Sequence, residues 1–482
     1  MINDLIDFDY GLDSNDLESM SFEHFDSIEK KPYFPTPDEM IKITKKGELY
    51  IGAEFDDMYN FIGHATIPTK EFTMHQFIFA VSGAGKTEMM KFQYTCILIQ
   101  KDMAQTLKNE GKITEDEVKI FDILILDNLG NFNKFGEPIL QSKSQFLKFY
   151  LASGWHPDYL RSLGKKWVRK YKPNNESNVG LWHNSVIVPN LKSTLSFLNY
   201  LTLLGINLSG IQGQIYQTLD RLEVLDNKIL SKKFDFKLFY LEIKSIRDEM
   251  IHEAKWFCES PQEQRKMWNE IANLDQVIAP LETLDREYKN TFDKPTFEDG
   301  KITIQDCSTT SDRWLFHSAI FTYMYFKFAK KPENLQSIKL MVSTDEYNDM
   351  LDDASNDSIP DYEQKREAKL ANWTRSQFLR LIREGRNYGT PIVGATQNPS
   401  QLLIKEGRKF ASINSKWIGY LGTEIDKMEE SKKGGGTFGS QKEVVYQESQ
   451  SRGWISQKYT GKWLLISETG ARRIQTFISC YN

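Results

Sequence analysis

The stretch Ser82-Gly83-Ala84-Gly85-Lys86-Thr87 holds the residue types that bind phosphate. Gly83 and Gly85 let a backbone curl close to an anion, Lys86 reaches β- and γ-phosphate oxygens, and the Thr87 hydroxyl holds Mg²⁺. Ala80 stands where the pattern G-x-x-x-x-G-K-[ST] has its first glycine. An alanine forced to positive φ costs about 1–2 kcal/mol, but a residue that closes a strand need not adopt it. A second set of groups suits hydrolysis of a phosphate chain. Asp345 and Glu346 follow the apolar run "IKLMVST"; Asp345 would hold the metal through water and Glu346 would polarise the attacking water. Gln397 closes "PIVGATQ" and would sense the γ-phosphate or position water, while Arg386, just past a helix stop at Gly385, would supply transition-state charge. Arg380 reads as part of a solvated helix face. No N-K-x-D motif for reading guanine accompanies the loop, so ATP is the expected nucleotide. The seven histidines are scattered and suggest no nuclease metal cluster.

These groups need a scaffold that delivers them to one edge. The apolar runs 76–81, 121–127, 301–307, 338–344, 391–396 and 416–421 read as strands separated by helical segments. Near-continuous apolar strands of this kind belong to a parallel sheet covered on both faces. In such a sheet, ligands sit beyond the carboxyl ends of the strands, which is where the loop, Asp345, Glu346 and Gln397 all fall. "TEMMKFQYTCILIQ" after Lys86 has helical spacing, so its N-terminus faces the loop and adds its dipole to anion binding. Between 140 and 300 the pattern changes to long, charge-laced helices such as "FYLEIKSIRDEMIHEAKWFCE", read as an insertion into the α/β core.

The 482 residues, 40% hydrophobic and 13% aromatic, are enough for a sizeable core, and a net charge of −5 excludes a uniformly basic nucleic-acid binder. Residues 1–30 carry nine Asp and Glu against one Lys, a solvated arm or one that binds a partner or mimics DNA. Four cysteines far apart, without a C-x-x-C pair, suit a reducing compartment. The acidic start carries no secretory signal, and polar residues break the apolar run 186–211, so no membrane span is expected. The chain therefore reads as soluble and cytoplasmic, or virion-associated if viral. For gripping nucleic acid, "WHPDYLRSLGKKWVRKYKP" (155–173) places Arg161, Lys165 and Arg169 at i, i+4 and i+8 with aromatic residues interleaved. An ordinary amphipathic helix with inward aromatics fits the same pattern. The glycine-rich "SKKGGGTFGSQK" (431–442) is a second candidate, or a flexible surface loop.

The segments "SGAGKT", "LMVSTDE" and "REGRNYGTPIVGATQNPS" together resemble the HerA–FtsK superfamily of DNA-pumping ATPases, and the HerA branch most. "ILILDNLGNF" (123–132) is similar to that family's second strand ending in Asp-x-x-Gly, and "ITIQDCST" (302–309) to its strand before the acidic pair. The resemblance covers roughly 70–135 and 300–425. It implies an α/β fold with a RecA-like (ASCE) P-loop NTPase core, a mainly parallel sheet and a large α-helical insertion. The expected organisation is a flexible tail over 1–35, core over 36–139, insertion over 140–300 and core again over 301–482. It further implies a hexameric ring with ATP and Mg²⁺ between subunits and double-stranded DNA in the pore. Lys86 and Thr87 would bind phosphate and Mg²⁺, Asp345 and Glu346 would be the Walker B pair, and Gln397 the sensor. Arg386 would reach a neighbour's nucleotide, with Arg383 as fallback. An ATP-gated assembly or defence scaffold that moves nothing is the alternative. Asn131 stands where many members have an acid, and no catalytic role is assigned to it. The stretch between the tail and the loop is short for the β-barrel at the front of HerA proteins.

Overall fold

The computed structural model describes residues 31–69, 75–113, 122–137, 145–171, 236–287, 301–306, 308, 340–345, 375, 378, 379, 382, 390–396, 415–422, 442–458, 460–467 and 470–481. The first element is α1 (Pro37–Lys45). It starts at a capping box, in which the Thr36 hydroxyl accepts from Glu39 N while Glu39 accepts from Thr36 N. A hairpin of β1 (Glu48–Phe55) and β2 (Phe61–Pro68) follows, then β3 (Gln76–Phe79), the glycine-rich loop and α2 (Lys86–Asn109). Next come β4 (Asp122–Asp127), α3 (Gln145–Ala152), α4 (Pro157–Trp167) and β5 (Val168–Tyr171). Helices α5 (Phe236–Trp256) and α6 (Pro261–Glu287) precede β6 (Ile302–Asp306), β7 (Leu340–Thr344), β8 (Ile392–Thr396) and β9 (Ser415–Ile418). The chain then forms α7 (Lys442–Ser449), β10 (Lys462–Ser467) and β11 (Gly470–Gln475).

The described strands make one 11-stranded sheet in the order β2-β1-β11-β10-β9-β3-β8-β7-β4-β6-β5. From β9 to β5 every pairing is parallel. From β9 through β10, β11 and β1 to β2 every pairing is antiparallel. The six strands expected from the apolar runs all lie in the parallel half. β3, β6 and β8 are buried along their whole length, as a strand covered on both faces must be.

The antiparallel half joins β1 and β2, early in the chain, to β10 and β11, late in it. β1 pairs with β11 through Ala53–Gln475, Glu54–Ile474 and Phe55–Arg473, and the Arg472 guanidinium donates to both Glu54 oxygens at 2.7 Å. Gly52, at φ +143°, sits where a Cβ would meet the Gln475 carbonyl oxygen at 2.6 Å, so only glycine allows this approach. Residues 48–68 thus extend the main sheet as an antiparallel hairpin. β1 also covers α2: Tyr50 N donates to Gln100 Oε1 at 2.9 Å, and Gln100 Nε2 donates to Glu48 O at 2.8 Å. Enclosed by β1, α1 and α4, α2 is buried on nearly all sides, from Met89 to Leu107.

β5 lies inside the span read as a helical insertion, yet it pairs with β6 at the sheet edge. α4 likewise packs on α2. α5 and α6 form an antiparallel pair, because contacts climb one helix as they descend the other: Tyr240–Glu282, Arg247–Asp275 and Gln264–Ala254. Among the described residues, no helix is long and apolar enough to cross a membrane.

Candidate functional site

β3 runs buried into the loop, and Ala80 N donates to the Thr396 carbonyl at the end of β8 at 3.4 Å. Ala80 is fully buried, and among the described residues Tyr59 alone departs from negative φ without being glycine. The position of the missing first glycine therefore needs no glycine. The left-handed turns fall instead on Gly83 (φ +74°) and Gly85 (φ +91°), and Gly85 is the N-cap of α2. Ser82 and Gly83 are exposed, so the loop is open to solvent there. Lys86 is buried by its own loop, its ammonium donating to Ala80 O at 3.0 Å and Val81 O at 3.3 Å.

Two strands away in the order, β7 is followed at once by Asp345, which is 3% exposed. Its carboxylate receives the Thr87 hydroxyl at 3.0 and 3.1 Å. Hydroxyl and carboxylate thus meet from opposite sides of β8, across the carboxyl ends of the parallel strands. β8 stands between the loop-bearing strand β3 and the acid-bearing strand β7, with β9 outside β3 and β4 outside β7. The core is a RecA-like P-loop fold.

This P-loop core is braced from below. The Tyr94 hydroxyl of α2 hydrogen-bonds Ser343 Oγ on β7, tying the helix to the strand two residues before Asp345. Burial pushes the Tyr94 phenol well above its ordinary range, so it stays a neutral donor. Asp127, at the end of β4, is fully buried and accepts from Asn131 N and Phe132 N, both at 2.9 Å. Burial raises its carboxyl to about 6, against the two backbone donors that pull it down. Asn131 Nδ2 then donates to Asp345 Oδ2 at 2.5 Å. Sequence reasoning gave Asn131 no role; the Asp-x-x-Gly turn was visible, but not its reach to another strand.

The pair Thr87–Asp345 has the chemistry for a hydrated Mg²⁺, which takes one or two protein oxygens and completes its shell with phosphate oxygens and water. Among the described residues, no group of three or more His, Cys, Asp or Glu could hold a metal ion, and this mode of binding requires none. Glu346, Arg386, Arg383, Arg380 and Gln397 lie outside the described residues, although the chain reaches the neighbours of Glu346 and Gln397 at Asp345 and Thr396.

The basic stretch takes a different form from the one its spacing suggests. α4 ends at Trp167, so Arg161 and Lys165 are helical but Arg169 lies on β5. Arg161 is partly exposed and pairs with Asp158 at 3.0 Å, and Lys165 is exposed. Arg169 donates to the Lys165 and Val168 carbonyls at 3.0 and 2.9 Å. Trp155 and Trp167 are buried. Asp102 of α2, itself buried, accepts from Trp167 Nε1 at 2.9 Å, Lys166 Nζ at 2.7 Å and the Tyr159 hydroxyl at 3.0 Å. Tyr159 and Trp167 thus belong to the seam between α4 and α2, and Trp155 donates to the Pro35 carbonyl. The loop 431–440 lies outside the described residues.

No family model matches the chain, and no curated protein matches it in sequence. Among solved structures, it is similar to VirB4 of Thermoanaerobacter pseudethanolicus at 10% identity, over 89% of this chain and 96% of that one, with a TM-score of 0.45. It is similar to the plasmid coupling protein TrwB in complex with ADP and Mg²⁺ at 11% identity, over 93% of each chain, with a TM-score of 0.37. The pCW3 conjugation coupling protein TcpA, in a monomer form with ATPgS, is similar at 11% identity over 94% of this chain and 71% of that one, with a TM-score of 0.33.

Proposed function

We propose that this protein is an ATP-hydrolysing motor that moves double-stranded DNA as a ring-shaped oligomer, in the manner of the HerA–FtsK ATPases its sequence resembles. The observation that carries the nucleotide reading is the meeting of Thr87 with Asp345 at the mouth of a loop whose glycines take left-handed turns. In this reading the loop amides and Lys86 bind the β- and γ-phosphates, and Lys86 exchanges its two loop carbonyls for phosphate oxygens. Thr87 and Asp345 would hold Mg²⁺, which neutralises phosphate charge when bound. Glu346, next after Asp345, would take the proton of the attacking water, and Gln397, next after Thr396, would position it. Arg386 would act on a neighbouring subunit's nucleotide, which is why the reading needs an oligomer, here a hexamer.

Movement of DNA rests on the sequence segment Gly385-Arg386 through Gln397-Asn398-Pro399-Ser400 and on its resemblance to DNA pumps. The acidic arm at 1–30 would meet a protein partner rather than DNA, whose phosphates repel it. The mass of the particle assembled with ATP tests the ring. A hexamer, or another closed oligomer, is expected; a monomer at micromolar protein with saturating ATP would remove Arg386 from the site. For the chemistry, Lys86→Ala should lose nucleotide binding, whereas Glu346→Gln should bind ATP and fail to turn it over. Normal turnover by Glu346→Gln would show that another group is the base.

A further inference from the structure

The turn after β4 is built with more care than a connection needs. Asp127 pins two successive backbone amides, Asn131 N and Phe132 N, with its two carboxylate oxygens. Gly130 takes φ +76° in a place where a Cβ would meet Asn133 Nδ2 at 2.9 Å and Ser308 Oγ at 3.2 Å. This fixed turn delivers the Asn131 amide to Asp345 Oδ2, one of the two oxygens that accept from Thr87. A neutral amide at this position donates a hydrogen bond without competing for the metal or adding a second charge. Asp345 is therefore oriented from both sides, by Thr87 and by Asn131.

The same turn holds a second, unexplained group. Asn128 is 6% exposed, yet both its amide nitrogen and its amide oxygen lack a hydrogen-bond partner. Thr344, fully buried and immediately before Asp345, has an unpartnered hydroxyl as well. The two belong to adjacent strand ends, since β4 and β7 are in register at Leu126–Thr344. Burying an amide with neither end paired costs stability, and a water bridging such groups would recover it. Mg²⁺ keeps several of its waters when bound by few protein oxygens.

Resting on the nucleotide-site reading, we propose that the turn after β4 is a positioning arm of the metal site. In it, Asn131 orients Asp345 for Mg²⁺, and Asn128 hydrogen-bonds water carried by the bound metal. Groups that orient metal ligands typically affect metal affinity 10–100-fold.

The test is the affinity of the full chain for a fluorescent ADP, titrated with Mg²⁺ and separately in EDTA, with thermal midpoints measured alongside. Asn131→Ala should raise the half-saturating Mg²⁺ about tenfold or more and leave the affinity in EDTA unchanged. Asn128→Leu should separate stability from metal binding. Its midpoint in EDTA should equal or exceed that of the wild type, because an unpaired amide is gone, while its Mg²⁺ requirement rises. Should Asn131→Ala fail to fold, Asn128→Leu decides alone. Folded variants with the wild-type Mg²⁺ dependence overturn the proposal while leaving the nucleotide site standing. A wild type that binds no ADP overturns the nucleotide-site reading, and the proposal with it.

Discussion

Replacing Ala80 with glycine restores the full phosphate-loop pattern, and it should make the protein worse. Ala80 is fully buried, does not take positive φ, and offers its carbonyl to Lys86 at 3.0 Å. Glycine would remove a buried methyl, worth about 0.8 kcal/mol. It would also free the backbone in the unfolded chain, worth about 0.5–1 kcal/mol. Together these predict a loss of about 1.5 kcal/mol in unfolding free energy, with ATP turnover per folded molecule unchanged. Urea unfolding, with its slope checked, reads the first quantity, and steady-state ATP hydrolysis reads the second. A glycine variant that turned over several-fold faster at undiminished stability would refute the reasoning, because it would mean that alanine strains the loop.

Further outcomes follow from the packing around this loop. Gly419→Ala would place a Cβ 2.7 Å from Trp463 Cζ3 and 3.1 Å from Ala80 Cβ, and over-packing of this kind costs about 1–3 kcal/mol; an unchanged urea midpoint would contradict it. Asp102→Ala strands the Tyr159 and Trp167 donors and takes the carboxylate from Lys166, itself half exposed; it should cost about 1–3 kcal/mol for each donor left unpaired, read as a lower thermal midpoint. Lys101 is held down to about 8 by burial, despite Asp122 nearby. The folded lysine therefore pays for its charge below pH 8, while the unfolded lysine stays protonated up to its ordinary 10.5. The unfolded state binds more protons between these values, so stability rises with pH there. Lys101→Met should accordingly be most favourable at pH 7, and its advantage over the wild type should shrink by about 2 kcal/mol by pH 10. A pH-independent difference in urea unfolding would contradict the burial argument.

Six of the seven strands in the parallel half of the sheet were legible because each is an apolar run, and burial on both faces writes itself into composition. β4 and β8 illustrate this, as "DILILD" and "IVGAT". The antiparallel half was not. β1 and β2 are interrupted by Gly52 and Gly63, and β2 is only partly buried, so neither shows a clean run. β5 was hidden inside "KKWVRKYK", where charges suggest a helix and a sheet edge tolerates them. The same misreading put Arg169 on a helical stripe with Arg161 and Lys165. At the site, Lys86, Thr87 and Asp345 could be read from local spacing, because each belongs to a motif with its own chemistry. Asn131 could not, since its role depends on contact with Asp345 on a different strand, far along the chain. The same holds for Tyr94 and Ser343, whose residue types alone say nothing about pairing.

The central claim is that this P-loop drives work on duplex DNA. It is tested most directly by ATP hydrolysis of the full chain at low salt, with and without double-stranded DNA, using Lys86→Ala as the baseline. The account predicts turnover that Lys86→Ala lacks and that duplex DNA increases. Turnover that persists in Lys86→Ala would contradict the site, and turnover indifferent to DNA of every form would contradict the motor.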